Sequence, residues 1–488
     1  MRIRGRALVS IALSLSLVAC GGGGSGGSAP PISGTPTPTP STSQCSLSAQ
    51  QDWVLSQMQE WYLFPTLLDT TVNKANYTTL QSYIDALTAR ARAEGKDRYF
   101  TYATSIAEEN AYYNSGSTAG FGVRLAYDTA QNRVFVTEAY ENAPALAAGI
   151  DRGSELIAIG TSTANLQTVS SLMASGGTQA VVNALGPSDP GVTRVLQFRT
   201  ADGVERTVTV TKTNFSLDPV SDRYGARIID DGGKKVGYIN LRTFIDTADA
   251  DLRTAFATFK AQGVTELIID LRYNGGGLVR TADLFGDLMG AAYVGKIFSY
   301  TTYRDSKSSQ NDSHTFAAQP EAITATKIAF IGTRASASAS ELLTNAFIPY
   351  LGTNMALVGT NTYGKPVGQI PRDLTACDLR LRVVAFKTEN ANRQGEYFNG
   401  LAPVVPRTCQ ASDDIRYQLG DPREASIKAA LDFLGGRACT PMTSSSGEIT
   451  VQAARRLHRR ARTARALLAG AQPVRRGRRR AGGPLSRR

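Results

Sequence analysis

Three serines alternate with alanines in Arg334-Ala335-Ser336-Ala337-Ser338-Ala339-Ser340-Glu341, and Lys365 follows in Thr362-Tyr363-Gly364-Lys365-Pro366. A serine hydroxyl becomes an effective nucleophile only when a neighbouring base takes its proton. Histidine is the usual base, yet the chain has only two, His314 and His458. His314 sits in a polar stretch, 306–315, that reads as a loop. Lysine can replace it when burial lowers its pKa to roughly 7 to 8. Lys365, between glycine and proline, is either held rigidly for that purpose or a surface turn residue. The apolar spacing Leu342-Leu343-x-x-Ala346-Phe347 predicts a helix starting near Ser340, with Ser338 at its entrance. Free N–H groups at such an entrance favour an oxyanion, and Ala339 N–H is the natural donor. Taken alone, serines in a Ser-Ala repeat are more often caps or linkers.

The elements that must carry these residues follow from periodicity. Residues 45–115 have helical spacing, with Trp53, Leu55, Met58, Trp61, Tyr62 and Leu63 in one segment and Leu80, Tyr83, Ile84 and Leu87 in a second. A small helical domain with an aromatic core is expected there. Residues 116–213 change to short β-like runs at 121–125, 134–136, 155–159, 195–198 and 207–210, whereas a helix around 179–185 is poorly patterned. Residues 214–440 alternate apolar strands (236–241, 266–271, 327–331, 356–359) with amphipathic segments at 248–262, after Leu278 and from Ser340. That alternation marks an α/β domain. The expected class is a multidomain α/β (α+β) protein.

The termini speak to location. Arg2, Arg4 and Arg6, an apolar run from Ala7 to Ala19 and then Cys20 make a secretory leader too short to span a bilayer. Residues 21–44 are Gly/Ser-rich and then Pro/Thr-rich, the composition of a flexible tether. The formal charge of +12 suggests a nucleic-acid partner until its distribution is read. Residues 451–488 contain 13 arginines and no acidic residue, so the rest carries −1, or −4 without the three leader arginines. The body is near neutral and no nucleic-acid partner is expected; segment 441–488 reads as a basic, disordered tail. Cys45, Cys377, Cys409 and Cys439 permit one or two disulfides in an exported protein, with three full pairings open. With no Cys-x-x-Cys or His/Cys cluster, no structural zinc is expected. Gly275-Gly276-Gly277 lacks the Lys-Ser/Thr of a phosphate loop, so no nucleotide cofactor is expected either.

Several stretches resemble known families. Leu17-Val18-Ala19-Cys20 resembles a bacterial lipobox, which implies a lipid anchor on Cys20 and a periplasmic or cell-surface protein tethered to a membrane. The run Pro144-Ala145-Leu146-Ala147-Ala148-Gly149-Ile150-Asp151-Arg152-Gly153-Ser154 resembles bacterial PDZ domains. By that resemblance Gly120, Phe121, Gly122 and Val123 form a carboxylate-binding loop for a chain terminus, and an extended peptide adds as a strand beside residues 122–126. The alternative is a glycine turn with no ligand.

Leu267-Ile268-Ile269-Asp270-Leu271-Arg272-Tyr273-Asn274-Gly275-Gly276-Gly277, then Ser336-Ala337-Ser338-Ala339-Ser340-Glu341, then Thr362-Tyr363-Gly364-Lys365 with Gln369, resembles the carboxyl-terminal processing (tail-specific) serine proteases in the same order. Gly400-Leu401-Ala402-Pro403 and Leu419-Gly420-Asp421-Pro422 fit as well. The resemblance implies that Ser338 is the nucleophile, Lys365 the general base, Gln369 the residue that orients it, and Gly276 N–H the partner of Ala339 N–H in the oxyanion hole. Ser336 and Ser340 compete for the first role. Two departures stand out: the 27 residues from Ser338 to Lys365 are a slightly long interval, and Ile348-Pro349 occupy a region where some members have an aspartate. The implied protein is an exported endopeptidase whose partners are protein C-termini, with oligomeric state open. The PDZ-like unit is also expected to gate the site. Two other readings are a non-catalytic tail-binding scaffold and a Ser/Lys esterase or amidase.

Overall fold

The computed structural model describes residues 44–443. The expected leader with Cys20, the tether before residue 44 and the Arg-rich segment after residue 443 lie outside the described residues. No helix among the described residues is long and apolar enough to cross a membrane.

Strands that are apolar without alternation must be covered on both faces. Lys234–Asn240, Glu266–Asp270, Lys327–Gly332, Met355–Gly359 and Thr408–Gln410 pair in parallel in that order, and Ala226–Asp231 is added antiparallel at one edge. Successive residues point to opposite faces. Leu267, Ile269, Ile328, Phe330 and Leu357 pack under helices Ala248–Ala261, Val279–Met289 and Ala339–Ala346. Ile268, Ala329, Ile331, Ala356 and Val358 pack on helix Ala425–Leu434.

A separate antiparallel sheet has the order Val123–Asp128, Arg133–Ala139, Glu155–Gly160, Thr193–Arg199, Glu205–Thr211, so Val123–Asp128 is an edge strand. Helix Val169–Leu185 packs on it through Leu172, Met173 and Val181. The helix breaks at Gly176 and Gly177, whose dihedrals are non-helical. That break shifts the phase between its halves, which is why no single apolar stripe was visible around 179–185.

In the N-terminal region, Leu47–Trp61 is capped by Ser46, whose hydroxyl accepts the Ala49 N–H at 3.3 Å, and Leu80–Leu87 is capped by Thr79. Such caps contribute about 1 kcal/mol each. Val54, Met58, Tyr62, Tyr83, Ile84 and Leu87 are buried, but the same cluster takes in Tyr363, Val367, Leu381, Val383 and Val384. Strand Tyr102–Ser105 then joins a third sheet with Leu379–Glu389, Ile297–Tyr303, Asp312–Thr315 and Val367–Leu374. This sheet was not foreseen. The stretch 306–315, expected as a loop, contains a short 3₁₀ helix, Asp305–Gln310, and strand Asp312–Thr315; pairing with Ile297–Tyr303 satisfies its backbone despite the polar side chains. Disulfides join Cys45 to Cys377 and Cys409 to Cys439. The whole is a multidomain α+β protein.

Candidate active site

Asp270, Gly332 and Gly359 end three adjacent parallel strands, and the loops that leave those ends carry residues 274–277, 336–340 and 362–365. In open α/β sheets the crevice beyond the strand carboxyl ends is where ligands gather. One sheet edge thus brings together three motifs that lie up to about ninety residues apart.

The three serines differ in what they do. Ser336 is 2% exposed, and its hydroxyl donates to Leu271 O at 2.7 Å while accepting the Thr333 N–H. Ser340 is 1% exposed and donates to Asn274 O at 2.9 Å. Both fasten the serine loop to the glycine turn. Ser338 is partly exposed and sits at φ +58°, ψ −116°, a region non-glycine residues enter only under strain. It immediately precedes helix Ala339–Ala346, so Ala339 N–H has no intrahelical acceptor.

Gly276 lies against this turn. A Cβ there would stand 2.7 Å from Ser338 Cβ, 2.9 Å from Ala337 O and 3.0 Å from Ala339 N, and its φ is +104°. Gly276 N–H donates to Asn274 Oδ1 at 2.8 Å, and Asn274 Nδ2 is held by Leu241 O. The N–H expected to hold an oxyanion is therefore occupied here. Gly276→Ala should lower stability by about 1–3 kcal/mol and kcat by at least about tenfold, because the new methyl displaces Ser338. Thermal unfolding and turnover of the variant check both.

Lys365 Nζ donates to Gln369 Oε1 at 2.6 Å, and Gln369 Nε2 donates to Phe100 O at 2.5 Å. Burial pushes the Lys365 pKa down to about 8, against the opposing pull of Asp97 and Glu341. Its ammonium lies over the Phe100 ring, 5.2 Å from the centroid. Nζ makes no hydrogen bond to Ser338 among the described residues, so base and nucleophile are not yet engaged.

Glu341, to which the sequence reading assigned no role, joins the two halves. It is 0% exposed. Its Oε2 accepts both the Ser338 N–H (3.1 Å) and the Lys365 N–H (2.7 Å); its Oε1 accepts the Gly364 N–H and the Thr362 hydroxyl, both at 2.6 Å. The signal was available: a glutamate three residues after a helix-entrance serine is a capping-box pattern. His314 Nε2 lies 2.9 Å from Asp287 Oδ1, in the last turn of helix Val279–Met289. Ile348 and Pro349 open a short helix, Ile348–Leu351, with no carboxylate in their place.

Gly120 ends strand Ser117–Gly120, and Gly122, at φ +75°, is pressed against Ala143 so that no Cβ fits. Phe121 is buried; the Phe121 and Gly122 carbonyls accept N–H groups of Ala145 and Tyr140 at 3.0 and 2.9 Å. Val123 then begins the edge strand, whose outer side has no partner strand among the described residues. Arg124 of this strand reaches Glu138 and stacks 5.2 Å from the Tyr273 ring centroid. Arg152, from the run that follows Pro144, donates to Tyr273 Oη at 2.8 Å. Tyr273 directly precedes Asn274.

The family description Peptidase family S41 matches residues 235–406, and Peptidase S41 N-terminal domain matches residues 49–102. The chain is 27% identical over 326 residues to a carboxyl-terminal-processing protease of Picosynechococcus sp., covering 66% of this chain and 71% of that protein. A carboxyl-terminal-processing protease of Synechocystis sp. is 26% identical over 414 residues, covering 80% and 88%. Among solved structures, a putative S41 protease from Bacteroides fragilis shares the fold at a TM-score of 0.61, with 23% identity, covering 79% of this chain and 97% of that one.

Proposed function

Since the chain belongs to peptidase family S41 and is a serine protease by that membership, we propose that it is an endopeptidase which captures protein C-termini and cuts near them through Ser338 and Lys365. The observation that carries this reading is the division of labour among the serines: Ser336 and Ser340 spend their hydroxyls on backbone carbonyls, and Ser338 is left partly exposed at a helix entrance.

Neutral Lys365 takes the Ser338 proton as Oγ attacks the scissile carbonyl. The tetrahedral oxygen is held by Ala339 N–H and, once it leaves Asn274, by Gly276 N–H. Lys365 then protonates the departing amine, and water releases the acyl group by the same route in reverse. Two bonds must open first, Lys365 to Gln369 and Gly276 to Asn274.

A tail added to the edge strand at Val123 would meet Arg124, and Arg124 and Arg152 both contact Tyr273 beside Asn274. Those contacts support a gated site in which tail binding shifts the population toward the assembled arrangement. Export and a lipid anchor at Cys20 belong to the same proposal and are tested by mass spectrometry of the mature N-terminus.

An unfolded reporter with an apolar tail, free or amidated at its C-terminus, tests the function. The free-tail reporter should be cut, and amidation should raise KM about tenfold or more by removing the charged hydrogen bonds to the 120–123 loop. A chain that binds the tail without cutting is a scaffold; one that turns over a small ester but leaves the reporter intact is an esterase.

A further inference from the structure

The protease loops are not the only backbone around Lys365. Residues 97–100 lie between helix Ala89–Ala93 and strand Tyr102–Ser105, in the N-terminal region. Asp97 is 0% exposed and fixes this turn. Its Oδ1 accepts the N–H groups of Phe100 (2.7 Å) and Thr101 (3.2 Å), and its Oδ2 accepts the hydroxyls of Tyr62 (2.9 Å) and Thr101 (2.7 Å). Tyr62 closes the first helix, so the turn is tied to the helical core.

Two groups of this turn reach the base. Arg98 Nη2 donates to Tyr363 O at 2.9 Å and to Gly364 O, and its guanidinium stacks over the Tyr363 ring at 4.6 Å. Phe100 O accepts from Gln369 Nε2, the amide whose other end holds Lys365 Nζ. Across the loop, Glu341 takes the N–H groups of Gly364 and Lys365. The two peptide units on either side of Gly364, immediately before Lys365, are therefore gripped by their N–H groups from the core and by their carbonyls from the N-terminal region. A planar guanidinium can stack on Tyr363 while one of its nitrogens serves both carbonyls, which an ammonium point charge does less well.

We infer that Arg98 is a positioning residue for the general base, and that the N-terminal region is a working wall of the catalytic site rather than an appended domain. This inference rests on the reading of Lys365 as the base. Without Arg98 the carbonyls of Tyr363 and Gly364 lose their donor, the backbone that carries Lys365 is held less firmly, and water enters around Nζ. Less desolvation moves its pKa upward toward that of a free lysine, so a higher pH is needed to make it neutral.

The test uses the full chain as wild type, Arg98→Ala, Arg98→Lys and Lys365→Met, with the free-tail reporter followed across the pH range. Arg98→Ala should lose about 30- to 100-fold in kcat with KM within about twofold, as a small misplacement of a catalytic group does. Its acidic limb should move to higher pH, low-millimolar guanidinium should restore part of the rate, and Arg98→Lys should fall between the two. Wild-type kcat and an unmoved limb in Arg98→Ala, with Lys365→Met inactive, overturn this inference alone. A rate loss that guanidinium does not relieve, matched by a rise in KM or a lower Tm, assigns Arg98 a merely structural role and also overturns it. Lys365→Met with wild-type activity overturns the base assignment, and this inference with it. Should Arg98→Ala not fold, the pH limb of Arg98→Lys carries the test.

Discussion

Ser338→Ala is expected to abolish cleavage of the tail reporter, lowering kcat by at least about 10⁴-fold, while leaving tail binding and the fold intact. The Ser338 side chain takes part in a capping box with Glu341 at the helix entrance, whereas those of Ser336 and Ser340 hold the buried carbonyls Leu271 O and Asn274 O. Alanine substitutions at those two positions should instead lower Tm. The backbone at Ser338 sharpens the contrast. At φ +58° a side chain is strained and glycine is not. Ser338→Gly should therefore be inactive and more stable than wild type by about 1 kcal/mol, which chemical denaturation of the two variants beside wild type would measure. A gain in stability on removing the nucleophile is the mark of a strained functional residue; a loss would mean that the turn is held by the hydroxyl.

Lys365→Met is expected to cost about 10³- to 10⁴-fold in kcat, since it removes the base proposed for Ser338. The wild-type pH dependence carries independent information. Only neutral lysine accepts the serine proton, and burial pushes the Lys365 pKa to about 8. The rate should climb about tenfold per pH unit below that value and level off above it. The sign for stability runs the same way. The unfolded chain holds this proton up to the ordinary lysine pKa of about 10.4, whereas the folded chain releases it near 8. Between those values the unfolded state binds more protons, so stability rises with pH; at neutral pH the buried lysine is a cost. Lys365→Met removes that cost and should stabilise the fold at pH 7 by on the order of 2 kcal/mol, less whatever solvent reaches Nζ. Activity profiles and denaturation at pH 7 and pH 10 check both halves.

Glu341 ties the loop of Ser338 to the loop of Lys365. A single buried carboxylate satisfies N–H groups on both, and burial raises its pKa against the pull of those same hydrogen bonds. The base loop is then completed by Arg98 from the other side. Both grips take hold of backbone atoms at Tyr363, Gly364 and Lys365; on the proposed mechanism Lys365 Nζ then moves from Gln369 toward Ser338, and Gly276 N–H from Asn274 toward substrate.

Much of this was legible in order of residues alone. The apolar stretches within 266–271, 327–331 and 356–359 were short and did not alternate with polar residues at their centres, as in buried parallel strands, and the loops after them carried glycines, serines and one lysine without competing histidine. The helix after Ser338 announced itself by Leu342, Leu343 and Ala346, because periodicity and capping are local properties. Fold class followed from the same local patterns. Three things did not. Strand Asp312–Thr315 is polar and became a strand only because Ile297–Tyr303 offered its edge. Choosing among three alternating serines required knowing which hydroxyls face a carbonyl, a matter of the Leu271 and Asn274 positions some 65 residues away in sequence. The grip of Arg98 on Tyr363 and Gly364 spans about 265 residues and leaves no periodic trace. Residue types and local spacing determined which groups could do chemistry; which of them are spent on holding the chain together, and which are left over to act, was decided only by long-range packing.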